Sequence, residues 1–292
     1  MVIAPPARRR LVGQALRRYR ERLGYTVEDA ARVLECNRSK ISRIETGQRG
    51  IRPNELRQLL AEYGIDEGQQ TLLAQLADPR GAFGWHRDYA DVLPGAAMDY
   101  LILETAASRI AGYEAQRVPA LLQTPAYARA LAQGIPGLAD EAAWDRVAEA
   151  LLARQDAILG ERPPGVYPDT PPAQVHLVIG QAALYQQVGG AEVMKEQIGA
   201  VARAAAAGGR VTVQVLPSGC GAHAAAGDGS LELLEFAGAE ELGIVHLGGI
   251  GGGVCLEGRS DIAAYKEAFE QLLMRALSPS RSASLLREMA RG

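Results

Sequence analysis

Apolar residues recur at helical spacing from residue 8 to residue 77, and short runs of β-branched and leucine residues replace that pattern after residue 173. Between Arg8 and Leu23 the positions Leu11, Ala15, Leu16, Tyr19 and Leu23 share one helical face, and Gly24 supplies a C-cap. Ala30, Ala31 and Leu34 then mark a short helix and Ile41 and Ile44 a second one, so the two are expected to cross over a small common core. Thr26 and Asn37 are the expected N-caps, with Glu28 and Asp29 in the first turn after Thr26. Cys36 falls in the turn at an inward position and reads as a small buried hydrophobe. Pro53 opens a helix carrying Leu56, Leu59 and Leu60, and a fifth helix is expected over Glu67–Ala77 after a cap at Asp66.

Asp78-Pro79-Arg80-Gly81 interrupts this series, and residues 1–78 are read as a head separate from a body of residues 79–292. In the body an apolar series through Leu101, Ile102, Ala106, Ile110 and Tyr113 predicts one long helix over 96–115, followed by helices at 125–133 and 141–159. The proline-rich stretch 162–172 reads as a loop. Four strands are expected in Val175–Ile179, Val211–Leu216, Leu231–Phe236 and Ile244–Leu247, with a helix at 190–206 long enough to make the first two parallel. A helix at 261–276 and a shorter one after Ser278-Pro279 close the chain. The expected class is α+β: an all-α five-helix head, a helical layer at 96–160, and an α/β part with a mixed sheet at 173–292.

Charge separates the two parts. The chain has a formal net charge of −3, yet residues 1–57 hold fourteen Arg and Lys against six Asp and Glu, leaving 17 basic and 28 acidic groups for the rest. A basic head on an acidic body directs attraction for phosphate to the head. Arg8, Arg9 and Arg10 read equally well as part of that attraction or as a solvated terminal run.

The two-helix pattern, with Ser39–Arg49 reading SKISRIETGQR, resembles the Xre (lambda-repressor-like) helix-turn-helix family. That resemblance implies a compact five-helix domain whose second motif helix enters the major groove of double-stranded DNA. Placed on the motif, Arg38, Ser39 and Arg43 are the expected base readers, and Asn37, Lys40, Gln48 and Arg49 the expected phosphate contacts. Glu35 stands at the turn position usually held by glycine; a left-handed backbone there would carry strain.

The body also resembles a family, the large uncharacterised domain that follows such heads in many actinobacterial regulators of development and antibiotic production. The carrying residues include Glu104, Ala107 and Ile110 ahead of Tyr113-Glu114, the segment Val118–Ala130 reading VPALLQTPAYARA, Arg154-Gln155, Val213–Pro217 and His223. Three positions depart from it: Ala120 replaces a glycine, and Gly180 and Gly248 stand where acidic residues are usual. The resemblance implies a transcription regulator, some relatives being classed as antitoxin-like, controlled through its body by a small protein partner or a small-molecule effector. Glu104, Tyr113, Gln123, Thr124, Tyr127, Arg129, Arg154 and His223 are the candidate cleft residues. For Gln123, Thr124, Tyr127 and Arg129 a second reading stands beside this: Thr124 as N-cap, Pro125 at the first helical position, Tyr127 and Leu131 as core. A homodimer on a two-fold site is expected, because one helix-turn-helix reads only a few base pairs.

The competing class is an enzyme or metal-binding α/β domain with an accessory DNA-binding head. Cys220, His223, His246 and Cys255 offer soft metal ligands, but the Cys-x-x-His pair has no second close pair to match it. Ser218, His223 and Asp228 lack a nucleophile elbow. Gly248–Gly253 fails the dinucleotide spacing and sits between apparent strands, which favours a hairpin connection. No enzyme activity, cofactor or metal is therefore expected. Three scattered cysteines do not make a disulfide framework, and no apolar run approaches a membrane span, so the expectation is a cytoplasmic protein with no membrane partner.

Overall fold

The computed structural model describes residues 5–78, 84–93, 95–138, 140–160, 172–237, 242–249 and 252–291. The expected breaker at 79–81 and the expected loop at 162–171 lie outside the described residues.

Five helices build the head: α1 (Ala7–Arg22), α2 (Val27–Val33), α3 (Arg38–Glu45), α4 (Pro53–Glu62) and α5 (Glu67–Ala77). Their starts follow the capping residues. Thr26 accepts from the Asp29 N–H while the Asp29 side chain bonds the Thr26 N–H, a reciprocal capping box. Asn37 accepts from the Lys40 N–H and Asp66 from the Gln69 N–H. Leu11, Ala15, Leu16, Ala30, Ile41, Ile44, Leu56, Leu59 and Leu73 are buried together, with Cys36 partly buried against them. Leu23 is not part of this core. It is the C-cap of α1, where the chain turns away, and is 46% exposed.

Three of these helices end the same way. After α1, the Gly24 and Tyr25 N–H groups bond the Glu21 and Arg20 carbonyls; after α4, those of Gly64 and Ile65 bond Ala61 and Leu60. This Schellman closure needs a left-handed residue, and Gly24 (φ 70°) and Gly64 (φ 65°) provide it. After α2 the identical pair of bonds, Glu35 to Arg32 and Cys36 to Ala31, is closed by Glu35 at φ 47°, the one non-glycine residue with positive φ among the described residues. Glu35 is exposed, so its side chain recovers little in return. Glu35→Gly is expected to stabilise the protein by about 1 kcal/mol, read as a shift of the urea midpoint at unchanged slope. An unchanged or lowered midpoint would show that the left-handed turn costs nothing here.

The body contains α6 (Gly95–Ala106), β1 (Arg109–Glu114), α7 (Pro125–Ala132), α8 (Glu141–Leu159), β2 (Gln174–Gly180), α9 (Ala191–Ala207), β3 (Val211–Leu216), β4 (Ser230–Glu235), β5 (Gly243–Leu247), β6 (Val254–Leu256), α10 (Arg259–Arg275) and α11 (Pro279–Met289). One mixed sheet runs in the order β3-β2-β1-β4-β5-β6. The β1–β2 and β2–β3 pairs are parallel, with α9 crossing between β2 and β3 as expected, and the remaining pairs are antiparallel.

The long helix expected over 96–115 is corrected. It stops at Ala106, and residues 109–114 form β1 at the centre of the sheet. A central strand covered on both faces has no polar side to betray a period of two, so Ile110 and Tyr113 passed for a continuing helical stripe. On one face of the sheet Ile110, Leu177 and Ile244 join a core that continues into the head; on the other, Ala111, Tyr113, Leu233 and Val245 pack against Ile262, Phe269 and Leu272 of α10.

Head and body also meet through charge. The Arg8 guanidinium lies 2.9 Å from Asp99 of α6 and donates to the Leu76 carbonyl, and Arg8 is buried. Arg10 forks onto Glu257 with both carboxylate oxygens engaged and donates to the Cys255 carbonyl at 3.1 Å. Two of the three N-terminal arginines are therefore neither a solvated run nor phosphate contacts; Arg9 alone remains exposed.

Candidate functional site

Two places can carry function: the exposed face of α3, and a cavity in the body. On α3, Ile41 and Ile44 face inward and Glu45 forms a buried two-pronged ion pair with Arg20 of α1 at 2.6 and 2.8 Å. The helix also passes so close to α1 that a Cβ on Gly13 would lie 2.7 Å from the Glu45 carbonyl oxygen. Orientation of α3 is thus set by α1, and its opposite face is left to solvent.

Arg38, Ser39 and Arg43 occupy that outer face. Arg38 pairs with Glu28 at 2.8 Å, a contact exposed on both sides and readily exchanged for another partner. Ser39 Oγ donates to Asn37 Oδ1, and Arg43 Nε donates to the Ser39 carbonyl. Asn37, Gln48 and Arg49 are exposed at the start of α3 and in the loop after it. Lys40 differs: its ammonium is 2.7 Å from Glu55 of α4 and its side chain is only 16% exposed, so it ties α3 to α4 in place of reaching outward.

The cavity, about 260 Å³, opens between α6, α7 and α8 and the face of β1, β4 and β5. Its walls are apolar, from Trp85, Leu101, Leu131, Ile135 and Leu151 among others, and its floor is charged. Arg154 of α8 donates to both oxygens of Glu104 at 2.7 and 2.8 Å and stands 3.8 Å from Glu232 of β4. Tyr100 hydrogen-bonds Glu232 and stacks on His246 of β5 at 3.9 Å between ring centres. Since a carbonyl can only accept, His246 Nε2 carries the proton it shares with the Gly252 oxygen, 3.1 Å away. Arg117 bonds Glu114 at 3.1 Å.

These groups shift one another. Burial alone would raise Glu232, but the His246 imidazole, the Arg154 charge and the Tyr100 hydroxyl hold it at about 2. Glu104 is pushed upward by burial, against the pull of Arg154. Glu114 rises to about 7 for the same reason, only partly offset by Arg117. Tyr100, fully buried, is pushed well above the ordinary tyrosine range.

Of the eight cleft residues expected from sequence, the cavity unites Gln123 and Arg154 on its lining and Glu104 directly beneath Arg154. The other five lie elsewhere. Thr124 caps α7 by accepting from the Tyr127 N–H, and the Tyr127 ring is fully buried with its hydroxyl accepting from the Val118 N–H. Arg129 joins α7 to α8 on the outside through Asp145 and Glu141. Tyr113 points to the α10 face of the sheet, where His223 meets it edge-on at 5.6 Å. Leu131 is partly buried on the cavity wall. Tyr100, Glu114, Arg117, Glu232 and His246 were not singled out for the site. A signal existed for two of them, since Glu232 and His246 are polar residues inside otherwise apolar strand runs and the register places them opposite each other.

The four soft ligands do not converge. His223 and Cys220 pack on the α10 face, whereas His246 stacks on Tyr100 across the sheet. Burial lifts the Cys255 thiol to about 12, and among the described residues no group of three or more His, Cys, Asp and Glu is placed to hold a metal ion. Gly248–Gly253 connects the antiparallel pair β5–β6, where a side chain on Gly253 (φ 78°) would strike the His246 ring. Among the described residues no helix is long and apolar enough to cross a membrane.

Comparison with curated proteins and with solved structures gives no match. Two family profiles do match: a helix-turn-helix domain over residues 11–73, and a domain of unknown function, DUF5753, over residues 97–288. The first covers most of the α1–α5 bundle with the exposed face of α3 and points to a DNA-binding regulator; the second covers the mixed sheet, most of the cavity and the helices around them, so the chain belongs to the DUF5753 family.

Proposed function

We propose that this protein is a sequence-specific transcriptional regulator that binds a two-fold operator as a homodimer and is controlled by a small-molecule effector in its body. The observation that carries the DNA reading is the outer face of α3, where Arg38, Ser39 and Arg43 stand free of the core beneath a helix locked from behind by Gly13 and the Arg20–Glu45 pair. Arginine suits guanine because its fork meets O6 and N7 together. Asn37, Gln48 and Arg49 flank this face and position the head on phosphate; Lys40 joins them only by leaving Glu55.

Titration of an operator duplex selected from random-sequence DNA tests the reading. Arg43→Ala is expected to cost about 1–3 kcal/mol and to relax preference at one base pair per half-site, with two protomers bound per duplex. Unchanged affinity and preference would remove α3 from the major groove.

Effector control is favoured over a protein partner by the shared use of α6. Asp99 holds Arg8 of the head, while its neighbour Tyr100 lines the cavity. A second link runs through the β5–β6 connection: Gly248 and Gly252 line the cavity, and Glu257, just past β6, holds Arg10. A ligand that moves either element acts on α1, and α1 sets α3.

A further inference from the structure

The floor of the cavity is unevenly balanced. Among the described residues Glu104, Glu114 and Glu232 pair with two guanidiniums, those of Arg117 and Arg154, and with the His246 ring. Arg154 is already paired, because Glu104 takes two of its nitrogens and Glu232 stands 3.8 Å away. Arg117 is drawn onto one oxygen of Glu114. What remains is that carboxylate's other oxygen: Glu114 is only 8% exposed, lines the cavity, and among the described residues only its Oε1 accepts a bond. That oxygen is open to the cavity, and a charged donor bonds a carboxylate best. Trp85 adds an aromatic ring to the chamber, a further attraction for a cation.

We infer that the cavity binds a compact amine, an ammonium group on an apolar or aromatic body, with the ammonium on Glu114 and the body against α7 and α8. This rests on the effector reading above and names the chemistry of that effector. An anion of the same shape would meet Glu114 and Glu232 at close range, and a neutral analogue would forgo the charge-assisted bond to the second Glu114 oxygen. Glu114 faces Arg117 after its own strand, Glu232 on β4, Arg154 on α8 and Tyr127 on α7. Its carboxyl, raised to about 7, must be ionised to hold the ammonium, while an alkyl ammonium stays charged throughout this range. Binding therefore tightens as pH rises from 6 to 8.

The test uses three probes of one shape on the full chain: tryptamine, the alcohol tryptophol and the acid indole-3-propionate, each titrated calorimetrically at pH 6 and pH 8. Tryptamine is expected to bind at least ten times more tightly than either analogue at pH 8, and several-fold more tightly at pH 8 than at pH 6. Glu114→Gln should remove both the charge preference and the pH dependence. Equal binding of tryptophol, preference for the acid, or no binding by tryptamine would overturn the inference. Should the Gln variant fail to fold, the pH dependence of the unaltered protein decides alone, and a flat profile counts against Glu114. A parallel operator titration with saturating tryptamine separates the two readings: charge-selective binding that leaves operator affinity unchanged sustains the ligand class and removes control of the head by this cavity.

Discussion

Glu104→Ala is expected to lower the stability of the protein by roughly 3–5 kcal/mol, the cost of leaving one member of a buried ion pair without its partner. Glu104 is 0% exposed, and both of its oxygens accept from Arg154, whose remaining neighbours are Tyr100 and Glu232. Removing the carboxylate leaves the buried guanidinium with looser neighbours, Glu232 at 3.8 Å and the Tyr100 ring. The double replacement Glu104→Leu with Arg154→Met should cost much less than Glu104→Ala alone, because two buried charges disappear together. Urea unfolding of the three proteins checks this. A loss below about 1 kcal/mol in Glu104→Ala would mean that water reaches Arg154 freely.

Gly13→Ala should damage both stability and DNA binding. Alanine favours a helix over glycine by about 1 kcal/mol, so the change would be beneficial on an open helix face. Here the new methyl meets the Ile44 and Glu45 carbonyls of α3, and backbone atoms cannot rotate aside. Overpacking of this kind costs about 1–3 kcal/mol, and the rigid neighbours put it toward the upper end. The net expectation is a lower melting temperature and, on the proposed reading, weaker operator binding, since α1 can relieve the clash only by pushing α3 out of place. Gly199→Ala is the control. That glycine sits within α9 with only the flexible end of Arg203 near its missing Cβ, so the same substitution should be neutral or stabilising. If both variants move in the same direction, the close crossing of α1 and α3 is not a constraint.

The head was legible because its information is local. Caps, apolar spacing and the odd Glu35 are each decided within a few residues, and Thr26, Asn37 and Asp66 act as their positions imply. The body was legible where a strand or helix advertised its own period, as in the β2–α9–β3 crossover. It misled where burial on both sides erased that period, in β1. The cavity was only partly visible. Glu104, Gln123 and Arg154 came from motif positions, but their companions Glu114, Glu232 and His246 come together only through the pairing of β1, β4 and β5, which no local pattern records. Arg8 and Arg10 were ambiguous for the same reason: their partners Asp99 and Glu257 are 91 and 247 residues away.

Those two arginines bear on how the protein could be rebuilt. Residues two apart on a helix point roughly 200° away from each other, so Arg8 and Arg10 straddle α1, one gripping α6 and the other the segment beyond β6. The first helix cannot roll about its own axis without breaking one grip or the other. In a chimera it therefore belongs with the body: a seam cut at Gly24, where the chain has already reversed into α2, would carry the anchored helix across intact, whereas a seam near residue 78 would discard it. If the proposed base readers hold, retargeting to a new operator needs no seam at all, because Arg38, Ser39 and Arg43 lie on an exposed surface that touches neither anchor.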